Sequence, residues 1–105
     1  MTMPNLTHGQ SLLLSALSEG ERWGNELRDE LASHGVQQSS PAFYQMMSRL
    51  ESSGFVYGLY ETEVIDGQTI KRRRYRIRPK GTRALEQAIE YYSVIGQRAG
   101  LALVR

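Results

Sequence analysis

Eight of the thirteen Lys and Arg residues lie between Lys71 and Arg83, in the run KRRRYRIRPKGTR, with no acidic residue among them. The formal net charge of the 105-residue chain is only +2, so the basicity is local. Such a block suits a polyanion, because each guanidinium or ammonium can neutralise a phosphate and release its counterions. A solvated edge strand is the competing reading, since charged edges also deter aggregation. Four consecutive cations at Lys71, Arg72, Arg73 and Arg74 exceed what edge protection needs, and phosphate or minor-groove contact is the expectation for them. Arg78, Lys80 and Arg83 either extend the patch or face solvent.

Little else in the chain is arranged for chemistry. There is no cysteine, which excludes disulfides, thiolate metal sites and a Cys nucleophile. His8 and His34 stand alone, with no second ligand at metal-binding spacing, and read as surface residues. Ser and Asp residues form no nucleophile–base arrangement, and no glycine-rich phosphate loop is present. No enzyme activity, metal or cofactor is therefore expected. The start, MTMPNLTHGQ, lacks a basic segment followed by an apolar one, so no signal peptide is expected. No apolar run approaches the roughly 20 residues of a membrane span, and a cytoplasmic location is expected.

The elements that must carry these cations can be read from periodicity. A first helix covers about Gly9 to Ser18, with Leu12, Leu13, Ala16 and Leu17 at helical spacing and Gly20 beyond its end. A second is read in ERWGNELRDELASHG, where Trp23, Leu27 and Leu31 form one apolar stripe and Gly35 is the stop. Gly24 in its first turn costs stability, which points to close backbone packing there. A third helix starts at Ser39 or Ser40 as N-cap, with Pro41 suited to the first turn, and ends at Gly54. Phe43, Met47 and Leu50 are its core stripe. This leaves Ser40, Ala42, Tyr44, Gln45, Ser48 and Arg49 facing outward.

After Gly54 the period becomes two. Phe55, Tyr57 and Leu59 alternate with Val56, Gly58 and Tyr60, and Asp66-Gly67 signals a type I′ hairpin turn. The returning strand, about Thr69 to Arg78, places Tyr75 and Ile77 inward and Arg72, Arg74, Arg76 and Arg78 on the other face. A long helix then runs from Pro79 to about Val104. Its stripe of Leu85, Ala88, Ile89, Tyr92, Ile95, Ala99 and Leu103, with Gly96 among small neighbours, is wide enough to take a second copy. A chain of this length buries only about 65% of its unfolded surface, so a dimer is a reasonable way to bury more.

The order of elements is that of a winged helix-turn-helix: mainly α, with a small β-hairpin and a long C-terminal dimerisation helix. The expected division is a flexible arm over residues 1–8, a DNA-binding domain over 9–78 and a dimerisation helix over 79–105. At several places the chain resembles the PadR-like bacterial transcriptional regulators. Trp23-Gly24-Asn25-Glu26-Leu27 resembles that family's "hG-x-E-L" segment, and Tyr44, Met47, Leu50, Glu51, Gly54 and Phe55 resemble its recognition-helix signature. Arg74, Tyr75, Ile77 and Gly81 resemble its wing strand and the start of its last helix. Two places depart from the pattern: Arg78 stands where Thr commonly caps the last helix, and Gln45 where Pro commonly follows the tyrosine.

The resemblance implies a homodimeric, sequence-specific regulator of double-stranded DNA, a repressor on a palindromic operator. Ser40, Ala42, Tyr44, Gln45, Ser48 and Arg49 would meet the DNA, with Lys71 to Arg74 on its backbone. Gln can read adenine bidentately in a major groove, which makes Gln45 a candidate for base choice. Some relatives of this type bind planar hydrophobic effectors between the dimer's core domains, and for such a ligand-responsive alternative Trp23, Tyr91 and Tyr92 are the candidates. Those three aromatics otherwise belong to the core and the dimer seam. The same fold also serves in protein-binding modules, so fold alone does not choose between DNA and an acidic protein partner.

Overall fold

The computed structural model describes residues 6–100. Its elements run in the order α1 (His8–Leu17), β1 (Arg22–Trp23), α2 (Gly24–Ser33), α3 (Ser40–Ser52), β2 (Val56–Ile65), β3 (Gln68–Ile77) and α4 (Pro79–Arg98). Leu103 and the last residues of the expected C-terminal helix lie outside the described residues. Among those described, no helix is long and apolar enough to cross a membrane.

The winged helix-turn-helix reading holds, with two local corrections. α1 starts at His8, one residue into the expected arm. The cause is a capping box: the Gln10 N–H donates to Thr7 Oγ1 at 3.1 Å, and the Thr7 N–H to Gln10 Oε1 at 3.0 Å. The second correction concerns Trp23, which is not helical. Its backbone is extended, and its N–H donates to Glu26 Oε1 at 3.0 Å, so that α2 starts one residue later. Arg22 and Trp23 instead pair with Tyr75 and Arg74 of β3, which turns the expected hairpin into a three-stranded antiparallel sheet ordered β1-β3-β2.

The hairpin itself follows the turn chemistry. Asp66 and Gly67 have φ of 51° and 77°, the doubly positive pair of a type I′ turn. The turn is two residues long, so each β2 residue faces the β3 residue equally far from it, from Ile65–Gln68 to Val56–Ile77.

One core joins all four helices to the root of the sheet. Leu13, Leu14, Leu17, Leu27, Leu31, Phe43, Met47, Leu50, Val56 and Tyr75 are almost wholly buried, and Leu85 of α4 belongs to the same cluster. β3 is tied to α4 through Phe55. The Arg78 N–H donates to the Phe55 carbonyl at 2.9 Å, and α4 then starts at Pro79 with Arg78 as an N-cap that makes no side-chain cap bond. Gly81 passes so close to this carbonyl that a β-carbon there would overlap the Phe55 oxygen and stand 3.0 Å from Ile77 Cγ1.

Gly81→Ala therefore sets two effects against each other. Alanine improves helix propensity by up to about 1 kcal/mol, whereas overlap with backbone that cannot yield costs roughly 1–3 kcal/mol and breaks the Arg78–Phe55 bond. We expect a net loss of stability, seen as a lower urea midpoint; an unchanged or raised midpoint would contradict this packing.

Candidate nucleic-acid interface

α3 is built to show one face and bury the other. Ser39 caps it, accepting the Ala42 N–H at 3.3 Å, and Pro41 occupies the first turn. Phe43, Met46, Met47 and Leu50 point into the core. Ser40, Ala42, Tyr44, Gln45, Ser48 and Arg49 are all exposed, as the periodicity requires. Tyr44, Gln45, Ser48 and Arg49 border two adjoining hollows, which share Ser48. Tyr44 and Ser48 line a cleft of about 510 Å³ between α3, the start of α2 and the root of the wing formed by β2 and β3. Gln45 and Arg49 border a shallow groove with Gln10 of α1 and Ser52 and Ser53 at the far end of α3.

Tyr44 also explains Gly24. The tyrosine ring packs edge-on to Phe43, with centroids 5.0 Å apart, and its hydroxyl lies 2.9 Å from where a Gly24 β-carbon would stand. The close packing expected at that glycine is a tyrosine of α3 lying across the first turn of α2.

The strand pleat splits the basic run. Arg72, Arg74 and Arg76 lie on one face, and Lys71 and Arg73 on the other with Tyr75. The run has no acid within it, yet the fold brings four to it. On the first face Arg72 pairs with Glu63 at 3.0 Å, Arg74 with Glu61 at 3.2 Å and Glu21 at 3.5 Å, and Arg76 with Glu21 at 3.9 Å. The Trp23 ring stacks against both Arg72 and Arg74, whose guanidinium carbons lie 3.9 and 4.4 Å from its centroid.

On the second face Arg73 pairs with Glu51 of α3, and Lys71 and Arg73 flank the Tyr60 ring at 4.2 and 4.3 Å. Arg49, Lys71, Arg78, Lys80 and Arg83 are exposed and form no ion pair among the described residues. Of the four cations expected to grip phosphate, Lys71 alone is exposed and without a carboxylate among the described residues.

Glu21, Glu61, Glu63, Tyr60 and Asn25, which accepts from Arg72 at 3.5 Å, were not singled out from sequence as part of this surface, and Glu51 entered only as a member of the α3 signature. Glu61 and Glu63 could have been, because the Asp66-Gly67 turn sets them across from and diagonal to Arg72 and Arg74. Glu21 and Glu51 come from other elements and leave no local signal.

α4 divides the expected dimer stripe in two. Leu85 and Ala88 are 8% and 2% exposed within the single chain, because the first turns of α4 pack on α1 and the core. Gly96 is also buried. Ile89, Tyr92 and Ile95 remain open, at 59%, 48% and 44%, alongside Tyr91 and Val94, and Ala99 is exposed. Leu85 and Ala88 thus serve the chain's own core rather than standing free for a second copy.

A helix with an outward-facing polar stripe, preceded by a short helix and followed by a charged two-stranded wing, defines the winged helix-turn-helix class of DNA-binding proteins. Residues 13–87, well over half of the chain, match the Transcriptional regulator PadR-like family, and the chain belongs to that family of DNA-binding regulators. In fold it is similar to a PadR family transcription regulator from Clostridium difficile, with a TM-score of 0.76, 19% identity, and coverage of 90% of this chain and 96% of that one. It is also similar to a transcriptional regulator from Clostridium thermocellum, with a TM-score of 0.71, 23% identity, and coverage of 89% and 87%. A third similar structure is a PadR family transcriptional regulator from Eggerthella lenta, with a TM-score of 0.62, 27% identity, and coverage of 86% and 79%. No curated protein matches the chain.

Tyr75 sits where the cleft meets the core. Its burial pushes the phenol up from 10.0 to about 12, against the opposing pull of the Arg73 guanidinium. A tyrosine that ionises later when folded adds stability below its unfolded pKa, and that contribution fades as pH rises through the window to about 12. We expect the urea midpoint to fall between pH 10 and about 12, and to fall less steeply in Tyr75→Phe. Equal slopes would remove Tyr75 from the alkaline transition.

Proposed function

We propose that the protein is a homodimeric repressor, not a catalyst, that binds a palindromic operator in the cytoplasm. Each α3 enters a major groove, with Gln45 and Arg49 at the base edges, Tyr44 and Ser48 toward the backbone, and Ser40 and Ala42 at the leading turn. Each wing lies along the flanking strand, with Lys71 at the phosphates and Arg72, Arg73 and Arg74 behind it, held by carboxylates. α4 is the dimerisation element, using Ile89, Tyr92, Ile95 and Ala99. Two-fold symmetry sets the half-sites about one helical turn, ~10 base pairs, apart. Repression follows from occupying a promoter that polymerase needs.

The observation that carries this reading is the exposed α3 stripe, free of ion pairs among the described residues, held beside a wing in a chain that belongs to a family of DNA-binding regulators. An acidic protein partner has no comparable support. A second element, a flat hydrophobic effector, is favoured by the exposed adjoining rings of Tyr91 and Tyr92, whose centroids lie 5.6 Å apart. It would bind where two copies of α4 meet.

Selection from a random duplex library tests the operator claim, and dyad-symmetric sequences are expected to be enriched. Gln45→Ala should lower discrimination at one base position by about 1–3 kcal/mol while leaving binding to random DNA unchanged. Enrichment of no sequence at all would defeat the reading. For the seam, Ile95→Glu should shift the sedimentation profile toward monomer and weaken operator binding; an unchanged profile would rule out this face of α4.

A further inference from the structure

Arg73 differs from its neighbours in where its partner comes from. Glu51 lies in the last turns of α3, and its carboxylate reaches across to the wing root, so the pair joins the recognition helix to β3. Both side chains are largely covered, at 20% and 24% exposed. The sheet makes room for them. A β-carbon at Gly58 would overlap the Glu51 carboxylate and stand 3.1 Å from the Arg73 guanidinium and 2.9 Å from Tyr75. The Tyr60 and Tyr75 rings lie 4.3 and 5.5 Å from the same guanidinium. Burial works to lower the pKa of Arg73, but the hydrogen bond to Glu51 and the surrounding charges outweigh it and hold the group above its ordinary value.

We propose that Glu51 withholds Arg73 from the DNA backbone, fastening the wing root to α3 and limiting how tightly the protein holds DNA of arbitrary sequence. Glu51 is on this view a positioning residue that sets specificity. For Arg73 to reach a phosphate, a half-buried carboxylate would be left unpaired on a surface that faces a polyanion. Lys71 differs: it is exposed, pairs with no carboxylate among the described residues, lies over the face of Tyr60, and supplies the wing's grip. The proposal rests on the DNA-contact reading above.

The salt dependence of binding to a short random-sequence duplex separates these roles, because each phosphate contact adds about 0.9 to the slope of log affinity against log salt. With the full chain, Arg73→Gln is expected to leave the wild-type slope unchanged, and Lys71→Gln to flatten it by about 0.9 per protomer. Glu51→Gln, which keeps the size and a hydrogen-bonding side chain, should steepen the slope by a similar amount, and adding Arg73→Gln to it should restore the wild-type value. Flattening in Arg73→Gln alone would overturn the proposal, as would an unchanged slope in a folded Glu51→Gln. Thermal melts establish folding, and the Arg73→Gln arm decides alone if Glu51→Gln does not fold. Wild-type protein that binds no duplex in a salt-dependent way would overturn the DNA-contact reading and this proposal together. A salt-dependent wild type with a flattened Arg73→Gln overturns the proposal alone.

Discussion

The two-residue turn at Asp66-Gly67 is the constraint on which the rest of the wing depends. It admits one register, and that register decides which residue of β2 faces which of β3. A slip by one residue would move Tyr75 out of the core and place Arg74 or Arg76 there instead. It would also separate Glu61 and Glu63 from the arginines they neutralise. A local backbone preference, two positive φ angles, thereby fixes a charge pattern up to ten residues from the turn.

That charge pattern matters because affinity for a polyanion and choice among polyanions pull in opposite directions. Every cation free to meet phosphate strengthens binding to all sequences alike. The wing holds five cations between Lys71 and Arg76, and four of them are engaged by glutamates drawn from β2, α3 and the residue just before β1. The surface is therefore far less basic than the run KRRRYR suggests. In contrast, the outward face of α3 carries polar groups with few internal partners. On the proposed reading, the chain spends its cations on holding the wing in place and leaves sequence choice to Gln45 and its neighbours.

Much of this was legible in the sequence. The Ser39 cap, the turn at Asp66-Gly67, the tight packing at Gly24 and most of the stripes of α1 and α3 follow from spacing or from one residue's backbone chemistry. The expected stripes omit the buried Leu14 and Met46, however, and Leu12 is only partly covered. The misreadings share a cause, which is that periodicity is local. Trp23 sits at helical spacing from Leu27 and Leu31, so the two-residue strand that contains it gave no signal. Leu85 and Ala88 lie on the same stripe as Ile89 and Ile95, and a stripe looks alike whether the chain's own core or another molecule covers it. The partners of Arg73 and Arg74 at Glu51 and Glu21 depend on elements meeting in space, which no short window can hold.

The stacking of Arg72 and Arg74 on Trp23 has an optical consequence. This is the only tryptophan in the chain, and two guanidinium groups lie against its indole. Its emission depends on that contact, so intrinsic fluorescence is a reporter at the wing root and needs no label. Any event that draws either arginine away from the ring changes the colour or brightness of the protein's own light.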